Sequence, residues 1–284
     1  MIKIKLCAFS DESDSSLNGQ IDALKRNNIP YMEMRNVDGK NVTELTLEEA
    51  KTVRAKLDEN GIKVWSLGSP LGKVDIDTDF EEYLKLVRHT CELANVLGAE
   101  NIRMFSFFKA YDEREKVLSY LNQMAQVGAE YGVRMCHENE KDIYGDTAER
   151  VTDIMENTTG LCFIYDPANY LQCGQDADIT LDAFHAKTEY FHIKDVRAAS
   201  GALVPAGCGD GKIEELVARI TDDKTLTLEP HLTVFEGYSS IDNTEMKHEF
   251  SFDSATEAFD AAVSALKKIL INAGYKEVGD EFVK

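Results

Sequence analysis

Four polar residues stand where successive apolar runs end: Glu138, Asp166, His192 and Glu229. The spacings between them are 28, 26 and 37 residues. A strand, its following helix and two connections need roughly 30 residues. One oxygen or nitrogen ligand per repeat, at the carboxyl end of a strand, is how a parallel α/β barrel builds a metal site. The spacing therefore points to a metal centre assembled by consecutive repeats.

The surrounding residues support that placement. Val133 to Glu138 is a short strand-like run after a Tyr-Gly break, and Leu161 to Tyr165 runs into Asp166-Pro167, where proline stops a ladder. Tyr190 to Ile193 follows a helical-looking segment, and Thr225 to Glu229 again ends at a proline. Residues two apart on a strand share a face. Glu138 thus lies with Cys136, Asp166 with Ile164 and Cys162, and Glu229 with Thr227 and Thr225. Met135, Phe163, Ile193, Leu226 and Leu228 take the opposite face, where strands meet helices. An ordinary strand-end role would account for any one of the four polar residues. It accounts poorly for four in register.

The chain has 284 residues, of which 43% are hydrophobic, enough to bury a full core as one domain over residues 1–284. No stretch approaches the roughly 18 apolar residues of a membrane span, and Met1 to Lys5 reads as a strand rather than a signal peptide. Six cysteines are scattered without a CxxC pair, several inside apolar runs, as expected for reduced thiols in the cytoplasm. A net charge of −20 argues against a nucleic-acid partner, since phosphate contacts draw on Lys and Arg.

Eight strand–helix units follow one another without a linker. Strands are expected at 2–9, 29–35, 61–67, 100–106, 133–138, 161–166, 190–194 and 225–229. Helical spacing of apolar residues is clearest over 79–98, 112–131 and 255–273, and Gly132 suits the end of the second of these. Strand–helix alternation implies a parallel sheet, and eight repeats close a (β/α)8 barrel of the α/β class. Segment 231–252, after the eighth strand, reads as a long loop over the mouth.

Several motifs together resemble a known family. They are His-Glu-Asn-Glu at 137–140, Tyr-Asp-Pro-Ala-Asn at 165–169, Phe-His-Ile-Lys-Asp at 191–195, Gly-Cys-Gly-Asp-Gly at 207–211 and Leu-Glu-Pro-His at 228–231. With Phe9 to Glu12, Tyr31 to Arg35 and Gly68 to Lys73, they are similar to the xylose isomerase-like TIM barrels. More closely, they resemble the sugar-phosphate isomerases and epimerases and the ketose 3-epimerases. The resemblance implies one divalent cation held by Glu138, Asp166, His192 and Glu229, with both glutamates doubling as acid and base. Removing a proton beside a carbonyl makes an enediolate, whose charge needs a Lewis acid. A second carboxylate can then return a proton to the other face or to the neighbouring carbon. Three oxygens and an imidazole suit Mn²⁺, Mg²⁺ or Co²⁺, with Zn²⁺ also compatible.

Weaker signals surround these four. Asn169 follows Asp166 by three residues, where several relatives have a histidine near substrate. Lys194 and Arg197 are further candidates for substrate contacts, with simple rim charges as the plain alternative. Glu33, which ends the second strand, and Lys73, in a Gly-Ser-Pro loop, are candidates to line the pocket, and His231 is a candidate rim group whose alternative is an exposed loop histidine. His137 lies on the other face from Glu138, which suggests a hydrogen-bonded structural role. Glycines 207, 209 and 211 lack the strand context of a dinucleotide site. The expected activity is metal-dependent isomerisation or epimerisation of a small sugar or sugar phosphate. An inosose-type dehydratase on the same barrel is the main alternative. A DNA-repair endonuclease fits poorly with Asn169 and the acidic charge, and a silent sugar-binding protein fits poorly with both glutamates present. Relatives are often homo-oligomers.

Overall fold

In the computed structural model, residues 1–234 and 247–284 are described. Eight parallel strands form a closed ring: β1 (Lys3–Ala8), β2 (Tyr31–Met34), β3 (Lys63–Leu67), β4 (Asn101–Met104), β5 (Arg134–Glu138), β6 (Leu161–Tyr165), β7 (Tyr190–Ile193) and β8 (Lys224–Leu228). Each pairs with its sequence neighbour, and β8 returns to β1 with Leu6 opposite Leu226. All eight strands lie within the expected segments to within a residue.

Nine helices are described: α1 (Leu17–Arg26), α2 (Leu47–Glu59), α3 (Phe80–Leu97), α4 (Arg114–Tyr131), α5 (Ala148–Asn157), α6 (Pro167–Gln172), α7 (Ala177–Phe184), α8 (Ile213–Ala218) and α9 (Ala255–Asn272). Their starts are written in the sequence. Thr46 and Glu49 form a capping box on α2, and Asp79 and Ser254 cap α3 and α9. Gly98 and Gly132 end α3 and α4 in the left-handed conformation, which costs glycine little. A cap contributes about 1 kcal/mol, whereas each fully buried Leu or Phe contributes roughly 1.5–3 kcal/mol. Packing therefore holds the helices in place, and the caps set where they begin and end.

The alternation of faces is as expected. Met135, Ile193, Leu226 and Leu228 pack outward in the main core with the helices, while Cys136, Ile164 and Tyr190 form a separate cluster with Trp65 and Cys162. The long loop expected at 231–252 lies partly outside the described residues. Among the described residues, no helix is long and apolar enough to cross a membrane.

Candidate metal centre

Asp166 closes β6 and caps α6. Pro167 takes the first helical position, where no N–H is needed, and the Asn169 N–H donates to Asp166 Oδ1 at 2.9 Å. The backbone and side chain of Asp166 and Asn139 exchange two further hydrogen bonds of 2.9 Å, which tie the ends of β5 and β6 together. Asp166 Oδ2 forms an ion pair with the Lys194 ammonium at 2.9 Å and has no hydrogen bond of good geometry among the described residues.

Ligand atoms of Glu138, Asp166, His192 and Glu229 all lie within 4.8 Å of one another, and all four residues are buried. His192 Nδ1 is 2.9 Å from Glu138 Oε1 and 3.2 Å from Glu229 Oε2. The other side of the ring, Nε2, meets Glu33 Oε2 at 3.3 Å, and Glu33 Oε1 accepts from the Tyr190 hydroxyl at 3.0 Å. Such a carboxylate on the far nitrogen fixes ring orientation and tautomer in metal-ligating histidines.

The electrostatics fit a cation. Asp11, Glu12, Glu33, Glu138, Asp166 and Glu229 are buried at the mouth, against the fixed charges of Arg35, Arg103 and Lys194. Six carboxylates thus face three cations. Burial pushes Asp166 up to about 7, with the carboxylates of Glu138 and Glu229 adding to the rise against Lys194. Burial also raises Glu229, but Lys194 and His192 overcome it and hold this carboxyl well below the usual range. Among the described residues Glu229 Oε2, like Asp166 Oδ2, has no hydrogen bond of good geometry, and it lies 3.2 Å from His192 Nδ1 and 3.7 Å from Lys194 Nζ. A divalent ion would meet both of these oxygens together with Glu138 and His192, a donor set of three carboxylates and an imidazole, so the residues present fit one.

A second acidic group joins Glu12, Glu229 and His231. Pro230 and a left-handed backbone at His231 (φ 48°) turn the chain here, and the His231 N–H donates to Glu12 at 2.7 Å. The Arg35 guanidinium lies among these residues, 3.3 Å from Glu12, 3.2 Å from Glu229 and 3.4 Å from His231, with a two-pronged pair to Asp11. Burial pushes Glu12 up to about 8 despite Arg35. The resident guanidinium supplies the positive charge that a second ion would bring.

The other candidate residues divide. Lys194 reaches Asp166 and Glu229, Asn169 Nδ2 donates to Glu138 at 3.4 Å, and Glu33 and His231 touch the cluster as described. Lys73 instead pairs with Glu140 at 3.0 Å and lies over the Phe105 ring. Arg197 pairs with Glu249 at the exposed rim, outside the cluster. His137 is buried as its face required, but among the described residues neither ring nitrogen has a hydrogen-bond partner, contrary to expectation. Burial lowers it to about 3, so the neutral ring acts as packing against Gly145, where a Cβ would lie 2.5 Å from the imidazole.

Glycines 207, 209 and 211 wrap a carboxylate of the chain itself. Their N–H groups donate to Asp195 at 2.9 Å each, and a Cβ on Gly209 would lie 2.1 Å from its Oδ1. Sequence reasoning missed Asp11, Arg35, Asn139 and Arg103. Arg103, between the outward-facing Ile102 and Met104 of β4, carried the available signal, because an arginine there must point inward and find acids.

The barrel is shared with known structures. The probable 3-DHS dehydratase AsbF from Bacillus anthracis matches with a TM-score of 0.68 at 16% identity, over 94% of this chain and 99% of that one. A D-allulose 3-epimerase from Methylomonas sp. matches with a TM-score of 0.71 at 14% identity, over 95% and 99%. The IOLI protein, solved with a binding zinc atom, matches with a TM-score of 0.68 at 16% identity, over 95% and 97%. At these identities the likeness concerns the fold. No curated protein matches the chain by sequence. The family model described as xylose isomerase-like TIM barrel matches residues 21–232, and the chain belongs to that family.

Proposed function

We propose that the chain is a divalent-metal-dependent isomerase or epimerase of a small sugar or sugar derivative. The observation that carries this reading is the convergence of Glu138 and Glu229 on one buried imidazole, His192, beside Asp166. Glu138 Oε1, Asp166 Oδ2, His192 Nδ1 and Glu229 Oε2 would hold the ion, whether Mn²⁺, Mg²⁺, Co²⁺ or Zn²⁺. Bound there, it would supply a Lewis acid for the carbonyl and hydroxyl oxygens of the sugar.

The protein's own groups move the protons. One of Glu138 and Glu229 removes the proton beside the carbonyl, and the other returns one. Return to the opposite face inverts the carbon, and return to the neighbouring carbon isomerises the sugar. Lys194 and Asn169 keep Asp166 and Glu138 in place, so little reorganisation is left for the reacting state. Burial of the whole group excludes bulk water from the proton's path.

The test is incubation with ketoses and ketose phosphates in heavy water with Mn²⁺, following deuterium at carbons beside the carbonyl. Glu138→Gln and Glu229→Gln should each reduce exchange by a factor on the order of 100 or more, with circular dichroism unchanged. Exchange accompanied by loss of water would assign a dehydratase instead. Turnover unchanged in both variants would refute the two-glutamate reading.

A further inference from the structure

Glu138 and Glu229 each divide their two oxygens. Glu138 Oε1 and Glu229 Oε2 turn to His192 Nδ1, whereas Glu138 Oε2 and Glu229 Oε1 meet one nitrogen, Arg103 Nη1, at 3.2 and 3.3 Å. Arg103 rises from β4, next to β5, which carries Glu138, and across the ring from β8, which leads into Glu229. Its guanidinium lies against the rings of Phe9 and Phe105, at 4.9 and 5.0 Å to the centroids, and Nη2 donates to the Gly68 carbonyl at 3.1 Å. Nε has no hydrogen-bond partner among the described residues.

This arrangement restricts the substrate. An ion bound at the Oε1 side of Glu138 and the Oε2 side of Glu229 leaves the second oxygens for proton transfer, and Arg103 now occupies both. A reacting carbon has no place between the two carboxylates while Nη1 is bonded to each. Arg103 must therefore give up at least one of them, and a buried guanidinium that loses one of its two carboxylates is best compensated by another anion. The two glutamates are not equivalent in this respect. Glu229 Oε1 keeps Arg35 as a second partner at 3.2 Å, whereas Arg103 is the only hydrogen-bond donor given to Glu138 Oε2 among the described residues.

Resting on the isomerase reading above, we propose that Arg103 selects substrates bearing an anionic group. A carboxylate or phosphate of the substrate takes over the guanidinium, and Glu138 Oε2 is released to accept or return the proton. Neutral sugars leave Arg103 on the glutamates and the pair blocked. Arg103 is thus a specificity-determining residue that both binds the substrate and gates its base.

Two measurements test this. Exchange of solvent deuterium is followed in matched sets of a neutral ketose, its phosphate and the corresponding keto acid. Exchange in the phosphate or the acid at least tenfold above the neutral sugar is expected, and which of them responds identifies the anion. Comparable exchange in the neutral sugar overturns the proposal while leaving the isomerase reading standing. In parallel, inorganic phosphate and glycolate are titrated calorimetrically into wild type, Arg103→Lys and Arg103→Met, with and without Mn²⁺. One anion should bind wild type and lose about tenfold or more in affinity in Arg103→Met, with Arg103→Lys intermediate and all three proteins folded by circular dichroism. Equal binding by wild type and Arg103→Met, or binding of neither anion, overturns the proposal. If no compound exchanges, the isomerase reading fails, and the titrations still decide whether Arg103 holds an anion.

Discussion

Glu33 is no member of the candidate ligand set, yet its carboxylate receives the Nε2 side of His192 at 3.3 Å and the Tyr190 hydroxyl at 3.0 Å. Partners of this kind typically change metal affinity by 10- to 100-fold. Glu33→Gln should therefore weaken Mn²⁺ binding by about that factor, measured by calorimetric titration, while the protein stays folded. His192→Ala and Asp166→Ala remove donor atoms outright and should leave metal content, by elemental analysis, far below wild type. Unchanged affinity in Glu33→Gln would separate it from the centre, and full metal content in the alanine variants would sink the ligand assignment. The four candidate ligands were legible because each stands at or next to the end of a strand-like run, on its inward face. Arg103 was not, although its parity showed that it faces inward. That its guanidinium reaches both Glu138 and Glu229 depends on how strands on opposite sides of the ring face one another.

Between elements, Asp153 on α5 joins Arg114 at the start of α4 through bonds of 2.9 and 2.6 Å, and also accepts from the Tyr144 hydroxyl at 2.8 Å. Arg114 holds the Asp153 carboxyl below its usual range, more than offsetting the rise from partial burial. A depressed folded pKa means that the pair stabilises above the unfolded value, near pH 4, and that this contribution is lost as pH falls through the folded value. Asp153→Asn should thus cost about 1 kcal/mol or less at pH 7. The difference from wild type should shrink toward zero as pH falls through the folded value, as read by urea unfolding across an acid pH series. A penalty that grows on acidification would show the sign to be wrong. The 207–211 loop makes a related point at this scale. Its glycines are explained by Asp195, a residue of a different segment, so the spacing alone could exclude a dinucleotide site but could not name the group enclosed.

Across the molecule, the two ends of the described chain meet. The strand Glu281–Val283 pairs antiparallel with β1, placing Phe282 opposite Ile4, and this side chain is buried. The pairing covers the edge of β1 below the point where β2 joins it at Cys7 and Ala8. Phe282→Ala should cost about 3 kcal/mol in urea unfolding and leave Mn²⁺ affinity unchanged, because this strand pairs at the opposite end of β1 from the centre. Loss of metal binding in the folded variant would show that the two ends of the barrel are coupled.

Eight strands, their inward and outward faces, and four polar strand ends were determined by the sequence alone. These features rest on local periods: two residues per strand repeat, 3.6 per helical turn, and roughly 30 per strand–helix unit. Caps such as Asp166 are local as well, since donor and acceptor lie three residues apart. Closure of the ring decided the rest. It set Arg103 between glutamates 35 and 126 residues away, and Arg35 between Glu12 and Glu229. It also withdrew Arg197 to the rim and left His137 without a hydrogen-bond partner among the described residues. Buried charges choose partners by distance in a low-dielectric interior, and distances across a barrel mouth exist only once β8 has paired with β1.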